Sequence, residues 1–251
     1  MPARKDVTEW VLVRGLTREQ RHWHAFPEAL AESSGARVTT IDAPGFGTEN
    51  ARRSPATIEE ITDDIRSRLQ TPAPEGERAI LGISLGGMVA LDWCSRYPDE
   101  FAFCTVVNTL AREVFRPHYL TLRALSVLGL RSFRSPRAHE QAVADLTVTD
   151  PAIDRNALAL RWVSFHHDAP PTTASIRAQA SAGLTFRLPG AVPTPLAVLA
   201  ARGDRLADPR MSLRIAERYG ARVYLHPSAG HDLPVDDPDW ICRILRAVTG
   251  A

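Results

Sequence analysis

The chain has 251 residues, 44% hydrophobic and 24% charged, enough for one large domain or a domain with a long insertion. A formal net charge of +1 argues against a surface dedicated to nucleic acid or membrane, and no apolar run approaches the roughly 18–20 residues that span a bilayer. Met1 to Trp10 carries no signal-peptide pattern. Cys94, Cys104 and Cys242 lack metal-ligand spacing, so they read as free thiols of a cytoplasmic protein with no metal.

Short apolar runs alternate with amphipathic ones, the pattern of an α/β fold with a mostly parallel central sheet and helices on both faces. Strands are expected at Trp10 to Val13, Arg37 to Ile41, Ala79 to Ile83, Ala102 to Val107, Leu196 to Ala201 and Arg222 to Leu225. Helices are expected near Arg21 to Glu32, Ile58 to Leu69, Leu85 to Tyr97, Ser212 to Tyr219 and Asp239 to Val248, the last capped by Asp239. Ile58, Ile61, Ile65 and Leu69 recur at spacings of three and four and mark one buried stripe.

From Ala111 to Gly190 the alternation stops, and helical segments are divided by Pro117, Pro136, Pro151 and Pro170-Pro171. The expected organisation is a core of residues 1–110 and 191–251 with a helical cap, residues 111–190, lying over the carboxyl edge of the sheet. That edge is where open α/β sheets bind ligands. The block holds ten arginines against six acidic residues. Such arginines read first as a solvated face.

Gly82-Ile83-Ser84-Leu85-Gly86-Gly87 falls between an expected strand and an expected helix. A serine on so sharp a turn exposes its hydroxyl, and the helix amino terminus directs positive charge at a developing oxyanion. A serine hydroxyl needs a base. His231, in the short loop Ser228-Ala229-Gly230-His231, opens on the same edge, whereas His22, His24, His118, His139, His166, His167 and His226 lie in helical, cap or strand-end segments and read as exposed or packing residues. The imidazole in turn needs a carboxylate, and Asp204 follows the Leu196 to Ala201 strand. Asp208 is its rival, but Asp208-Pro209 reads as N-cap and first helical residue. The preceding strand ends in uncharged Asn108.

Over nearly its whole length the chain resembles the α/β-hydrolase superfamily. The order Ser84, Asp204, His231 is the triad order of that superfamily. Arg14-Gly15-Leu16 with Trp23 stands where the superfamily has His-Gly and a tryptophan eight residues on; Asp42-Ala43-Pro44-Gly45-Phe46-Gly47 and Gly230-His231 with Pro238 match two further motifs. Trp23 and Asp42 are expected to be structural. The resemblance implies an oxyanion hole made by the backbone N–H groups of Leu16 and Leu85, no organic cofactor, and acyl transfer to Ser84 from a small-molecule ester. Within it, the layout is similar to small lidded carboxylesterases such as the pimeloyl-carrier-protein methyl esterases, which would make an acyl carrier protein a partner of the basic cap. Thioesterase, carbon–carbon bond hydrolase, cofactor-free haloperoxidase and low-turnover ligand-binding readings stay open on the same residues. Arg14 in place of histidine leaves two roles open, an ion pair that holds its loop or a contact to a substrate carboxylate.

Overall fold

A computed structural model of the protein describes residues 7–69, 77–116 and 135–249. In chain order the elements are β1 Val7–Val13, α1 Phe26–Ser34, β2 Arg37–Ile41, α2 Ile58–Arg68, β3 Glu77–Ile83, α3 Leu85–Arg96 and β4 Phe103–Val107. There follow α4 Pro136–Thr147, α5 Arg155–Asp168, α6 Thr173–Thr185, β5 Leu196–Ala201, α7 Pro209–Tyr219, β6 Arg222–His226, α8 Leu233–Asp236 and α9 Pro238–Thr249. The six strands form one parallel sheet in the order β2-β1-β3-β4-β5-β6.

Strand β1 shows how the layers arise. Its side chains alternate, so Val11 and Val13 join one core with Ile58, Ile61 and Ile65 of α2, α3 and Met211 and Ile215 of α7. Trp10 and Leu12 join the opposite core with Phe26 and Leu30 of α1 and Ile241 and Leu245 of α9. Helix α3 lies buried from Leu85 to Cys94, which is why that segment lacks a polar face. Thr57 caps α2, accepting from the Glu60 N–H at 3.3 Å, and Asp208 caps α7 with Pro209 in its first turn.

All six expected strands are present, and the expected parallel α/β class holds. Strand β1 starts before Trp10 because Glu9, a fully buried carboxylate, is held by Arg37 at 2.8 Å and Arg78 at 2.6 Å from the flanking strands. The single helix expected over Arg21 to Glu32 is two elements, a 3₁₀ turn over Gln20–Trp23 and then α1. His24 turns the chain at φ +51°, and Pro27 has no N–H to continue the ladder. The last helix starts one residue early. Proline favours the first helical position, so Asp237 and not Asp239 caps it, accepting from the Trp240 N–H at 2.9 Å. Helices α4, α5 and α6 fall within residues 111–190; Pro117, His118 and the rest of residues 117–134 lie outside the described residues.

Strands β1 and β3 are neighbours, yet their crossovers run to opposite sides, so the sheet changes winding direction between them. The chain packs its tightest turn there. A side chain on Gly82 would run into the Gly86 carbonyl, and one on Gly86 into the carbonyl of Val13. Gly86→Ala should therefore push α3 off β1 and cost about 1–3 kcal/mol or more of unfolding free energy. Chemical denaturation checks this; a loss within a few tenths would show that α3 can slide without cost.

Candidate active site

Ser84 joins β3 to α3 with φ +56° and ψ −118°, a conformation that a non-glycine residue adopts only when its surroundings compel it. The compulsion is visible: the Ser84 N–H donates to the Val107 carbonyl at 2.8 Å, and its own carbonyl accepts from the Gly87 N–H at 3.0 Å. The hydroxyl makes no capping hydrogen bond to the helix. Gly15 lies directly across, since a methyl group there would sit 3.1 Å from Ser84 Cβ and 3.7 Å from Oγ. Leu85 is the first residue of α3, so its N–H has no intrahelical acceptor. The Leu16 N–H likewise has no partner among the described residues.

His231 and Asp204 are brought together from loops after β6 and β5. His231 Nδ1 stands 2.7 Å from Asp204 Oδ2, and both side chains are buried. A carboxylate only accepts, so Nδ1 carries the proton and Nε2 is left basic. The other Asp204 oxygen accepts from the Leu206 and Ala207 N–H groups, both at 2.8 Å, which fixes the carboxylate. Asp208 is occupied otherwise, capping α7 through the Arg210 N–H at 2.9 Å.

Asn108, passed over in the sequence as an uncharged strand end, anchors this corner. At φ +48°, its amide donates to the carbonyls of His231 at 2.8 Å and Gly230 at 3.2 Å, while its oxygen accepts from the Ala201 N–H at 2.9 Å. Asp236 accepts from the Gly230 N–H and, at 3.0 Å, from those of Thr149 and Asp150, tying the histidine loop to the end of α4.

Of the two roles open for Arg14, the structure shows the ion pair. Its guanidinium meets Asp232 with two hydrogen bonds, 2.9 and 2.7 Å, and lies 4.8 Å above the Trp23 ring. Trp23 is thus packing, and Asp42, which accepts from the Gln20 and Thr48 N–H groups, holds a turn. Burial pushes the Asp232 carboxyl up, but the Arg14 charge and hydrogen bonds outweigh it and hold it below the usual range. This pair joins the Gly15 loop to the residue after His231. Thr17, at φ +60°, donates its N–H to Gln179 Oε1 of α6 at 2.7 Å, so the same loop is also held from above.

Ser84, His231, Arg14 and Leu16 line one cavity of about 730 Å³, roofed by residues of α4, α5 and α6. Several roof contacts went unseen in the sequence. Arg18 Nη1 donates to Glu140 Oε2 at 2.6 Å and to His22 Nε2 at 2.9 Å, and the guanidinium lies 4.9 Å over the Trp162 ring. His22 is consequently a neutral acceptor at Nε2: burial, with the Arg18 and Arg14 charges, holds it well below the ordinary histidine range. Trp162 Nε1 donates to His24 Nε2 at 2.9 Å. Arg18 and Glu140, and His24 and Trp162, are more than a hundred residues apart in the chain, and nothing local in the sequence announces either pair. Of the two readings open for these histidines, His22 is a packing residue, His24, His139 and His166 are half-buried, and His167 is exposed. No group of three His, Cys, Asp or Glu side chains is placed to hold a metal among the described residues.

A parallel sheet that reverses its winding at β1/β3, with a serine turn at that point, defines the class. The alpha/beta hydrolase family profile matches residues 10–244, and the chain belongs to that family. Over 103 residues it is 34% identical to a pimeloyl-[acyl-carrier protein] methyl ester esterase of Neisseria meningitidis, a stretch covering 40% of this chain and 38% of that one. The chain thus spans under half the length of such curated relatives. An esterase from Thermogutta terrifontis superposes with a TM-score of 0.74 at 22% identity, over 97% of this chain and 90% of that one. The enol-lactonase of Burkholderia xenovorans LB400 gives 0.74 at 22% identity over 98% and 92%.

Two stability measurements probe the site's frame. Arg14→Met strands a buried carboxylate and should cost about 3–5 kcal/mol, much of it recovered when Asp232→Leu is added. Equal losses in the single and double variants would mean that the pair is not the source. Burial, opposed by the Asp232 charge, draws His24 down to about 4, with the Arg14 and Arg161 charges helping. Between pH of about 4 and 6.5 the unfolded chain then binds a proton that the folded chain refuses, so His24 subtracts stability as pH falls through that window. Unfolding free energies from pH 7 to 4.5 should fall less steeply in His24→Asn than in the parent; identical slopes would remove His24 from the account.

Proposed function

We propose that the protein is a serine hydrolase of carboxylic esters, with Ser84 as nucleophile, His231 as general base and Asp204 as the carboxylate that orients it. The observation that carries this reading is the common placement of a strained, uncapped Ser84 and a buried His231–Asp204 pair on one cavity. In the first step His231 Nε2 takes the Ser84 proton as Oγ adds to the ester carbonyl. The tetrahedral oxyanion is met by the backbone N–H groups of Leu16 and Leu85, and the histidine returns the proton to the departing alcohol. Water, activated by the same nitrogen, then releases the acid from Ser84. Asp204 stabilises the imidazolium in both halves. Helices α4 to α6 act as a lid that excludes bulk water from these steps.

The likeness to pimeloyl-[acyl-carrier protein] methyl ester esterases supports a carrier-bound acyl ester as one substrate class. The basic excess of the lid does not require one, since Arg155 and Arg187 lie 3.7 Å from Asp145 and Glu113. A cytoplasmic setting belongs to the same reading and is supported by three buried cysteines that form no disulfide.

An organophosphonate should label the protein at Ser84 and leave Ser84→Ala unlabelled. Beside it, Asp204→Asn should lower ester turnover by about three to four orders of magnitude, while Asp208→Asn, still a good cap, changes little. Labelling at another serine would sink the nucleophile; a crippled Asp208→Asn would sink the acid.

A further inference from the structure

Two arginines that the hydrolytic steps do not use open on the cavity. The Arg18 N–H closes a turn on the Gly15 carbonyl at 3.2 Å, so its side chain starts one turn from the serine. That side chain is 9% exposed, with its face on Trp162 and Nη1 occupied by Glu140 and His22. Nε and Nη2 have no partner among the described residues, and neither atom is sealed from the cavity that Arg18 lines. A guanidinium held by one nitrogen and stacked on a ring cannot turn away, so its other edge is a fixed pair of parallel donors. That edge matches the two oxygens of a carboxylate.

The charge around the cavity points the same way. Asp232 balances Arg14, Glu140 balances Arg18, and His22 is neutral. Arg177 of α6, on the same wall and exposed, has no acidic partner among the described residues. Glu19, also on the wall, pairs with Arg21, which leaves Arg177 as the cavity-lining arginine without an acidic partner among the described residues.

We propose that Arg18 and Arg177 form a carboxylate subsite, so that the ester hydrolysed at Ser84 carries a second, ionised carboxyl group beneath the lid. The inference rests on the ester-hydrolase reading for its chemistry, but the subsite can be measured without turnover. The Arg18 edge receives the carboxylate side-on and sets its position. Arg177 supplies long-range attraction and closes over it from the lid.

The test compares kcat/KM for the monomethyl hemiesters and dimethyl diesters of succinic through suberic acid. At the best chain length the parent should prefer the hemiester by about ten- to a hundredfold, the scale of hydrogen bonds to a charged group. In the double variant Arg18→Gln, Glu140→Gln, which removes the fork and its counter-charge together, that ratio should fall to near one. Arg177→Gln, an exposed change with little risk to folding, should lower it a few fold, more at low salt than at high. Calorimetry with the free dicarboxylate should show binding to the parent that the double variant loses. Equal turnover of hemiester and diester, or a ratio and a dicarboxylate affinity that survive the double substitution, would overturn the subsite. Tighter binding of a monoalkyl phosphate, dependent on the same arginines, would overturn the carboxylate assignment. If neither ester turned over and Ser84 resisted phosphonate, the hydrolase reading would fall, and dicarboxylate binding would still decide the subsite.

Discussion

The first turn of α3 sets its Gly86 carbonyl against Gly82 of β3 and Gly86 itself against the Val13 carbonyl that ends β1, and nothing but glycine at positions 82 and 86 allows that approach. The contact settles several things together. It turns Ser84 to positive φ, places the amino terminus of a buried helix behind the hydroxyl, and leaves Gly15 against the serine side chain. Backbone amides at that junction cannot be used up by the helix ladder, so they remain available to an oxygen arriving from the cavity. The chemistry proposed for Ser84 is in this sense a by-product of how closely two strands and a helix can be packed.

Around that junction the loops are fixed by polar groups taken out of water. Arg14 reaches across to Asp232, Arg18 to Glu140, Asn108 to the His231 carbonyl, and Asp204 to two amides and a ring nitrogen. Buried charge pairs are poor sources of net stability, because desolvation consumes most of what the attraction returns. Their effect lies in geometry: each fixes a loop relative to another segment with one or more directional bonds. Six loops leave the carboxyl edge of this sheet, and without such ties their side chains would wander by more than a reaction coordinate tolerates.

The sheet could be read from the chain because its signals are local. Trp10 to Val13 alternates between two cores, Ile58, Ile61 and Ile65 keep helical spacing, and Asp208-Pro209 caps where such pairs cap. The serine turn and the pairing of His231 with Asp204 were legible for the same reason, since each sits at the end of a strand whose direction is known once the sheet is parallel. Glu9 hid the start of β1, because a charge in a strand looks like a loop until its two arginines are seen. Arg18, Asn108, Glu140, Trp162 and Gln179 were invisible as site residues. Each acts through a partner brought near only by the finished fold, and an isolated arginine or glutamine carries no sign of that.

The bond between the Thr17 N–H and Gln179 has a consequence for how such proteins diversify. Thr17 follows Leu16, proposed above for the oxyanion hole, and its left-handed backbone is held by a side chain from α6. Helices α4 and α6 are therefore not independent of the loop after β1. A segment transplanted from another family member would have to carry its own equivalent of Gln179, and of Glu140 for Arg18, or that loop would lose its shape. Recombination between β4 and β5 is constrained by two contacts far from either splice point, so substrate range in this scaffold should change more readily by single substitutions along the cavity wall than by exchange of the whole block.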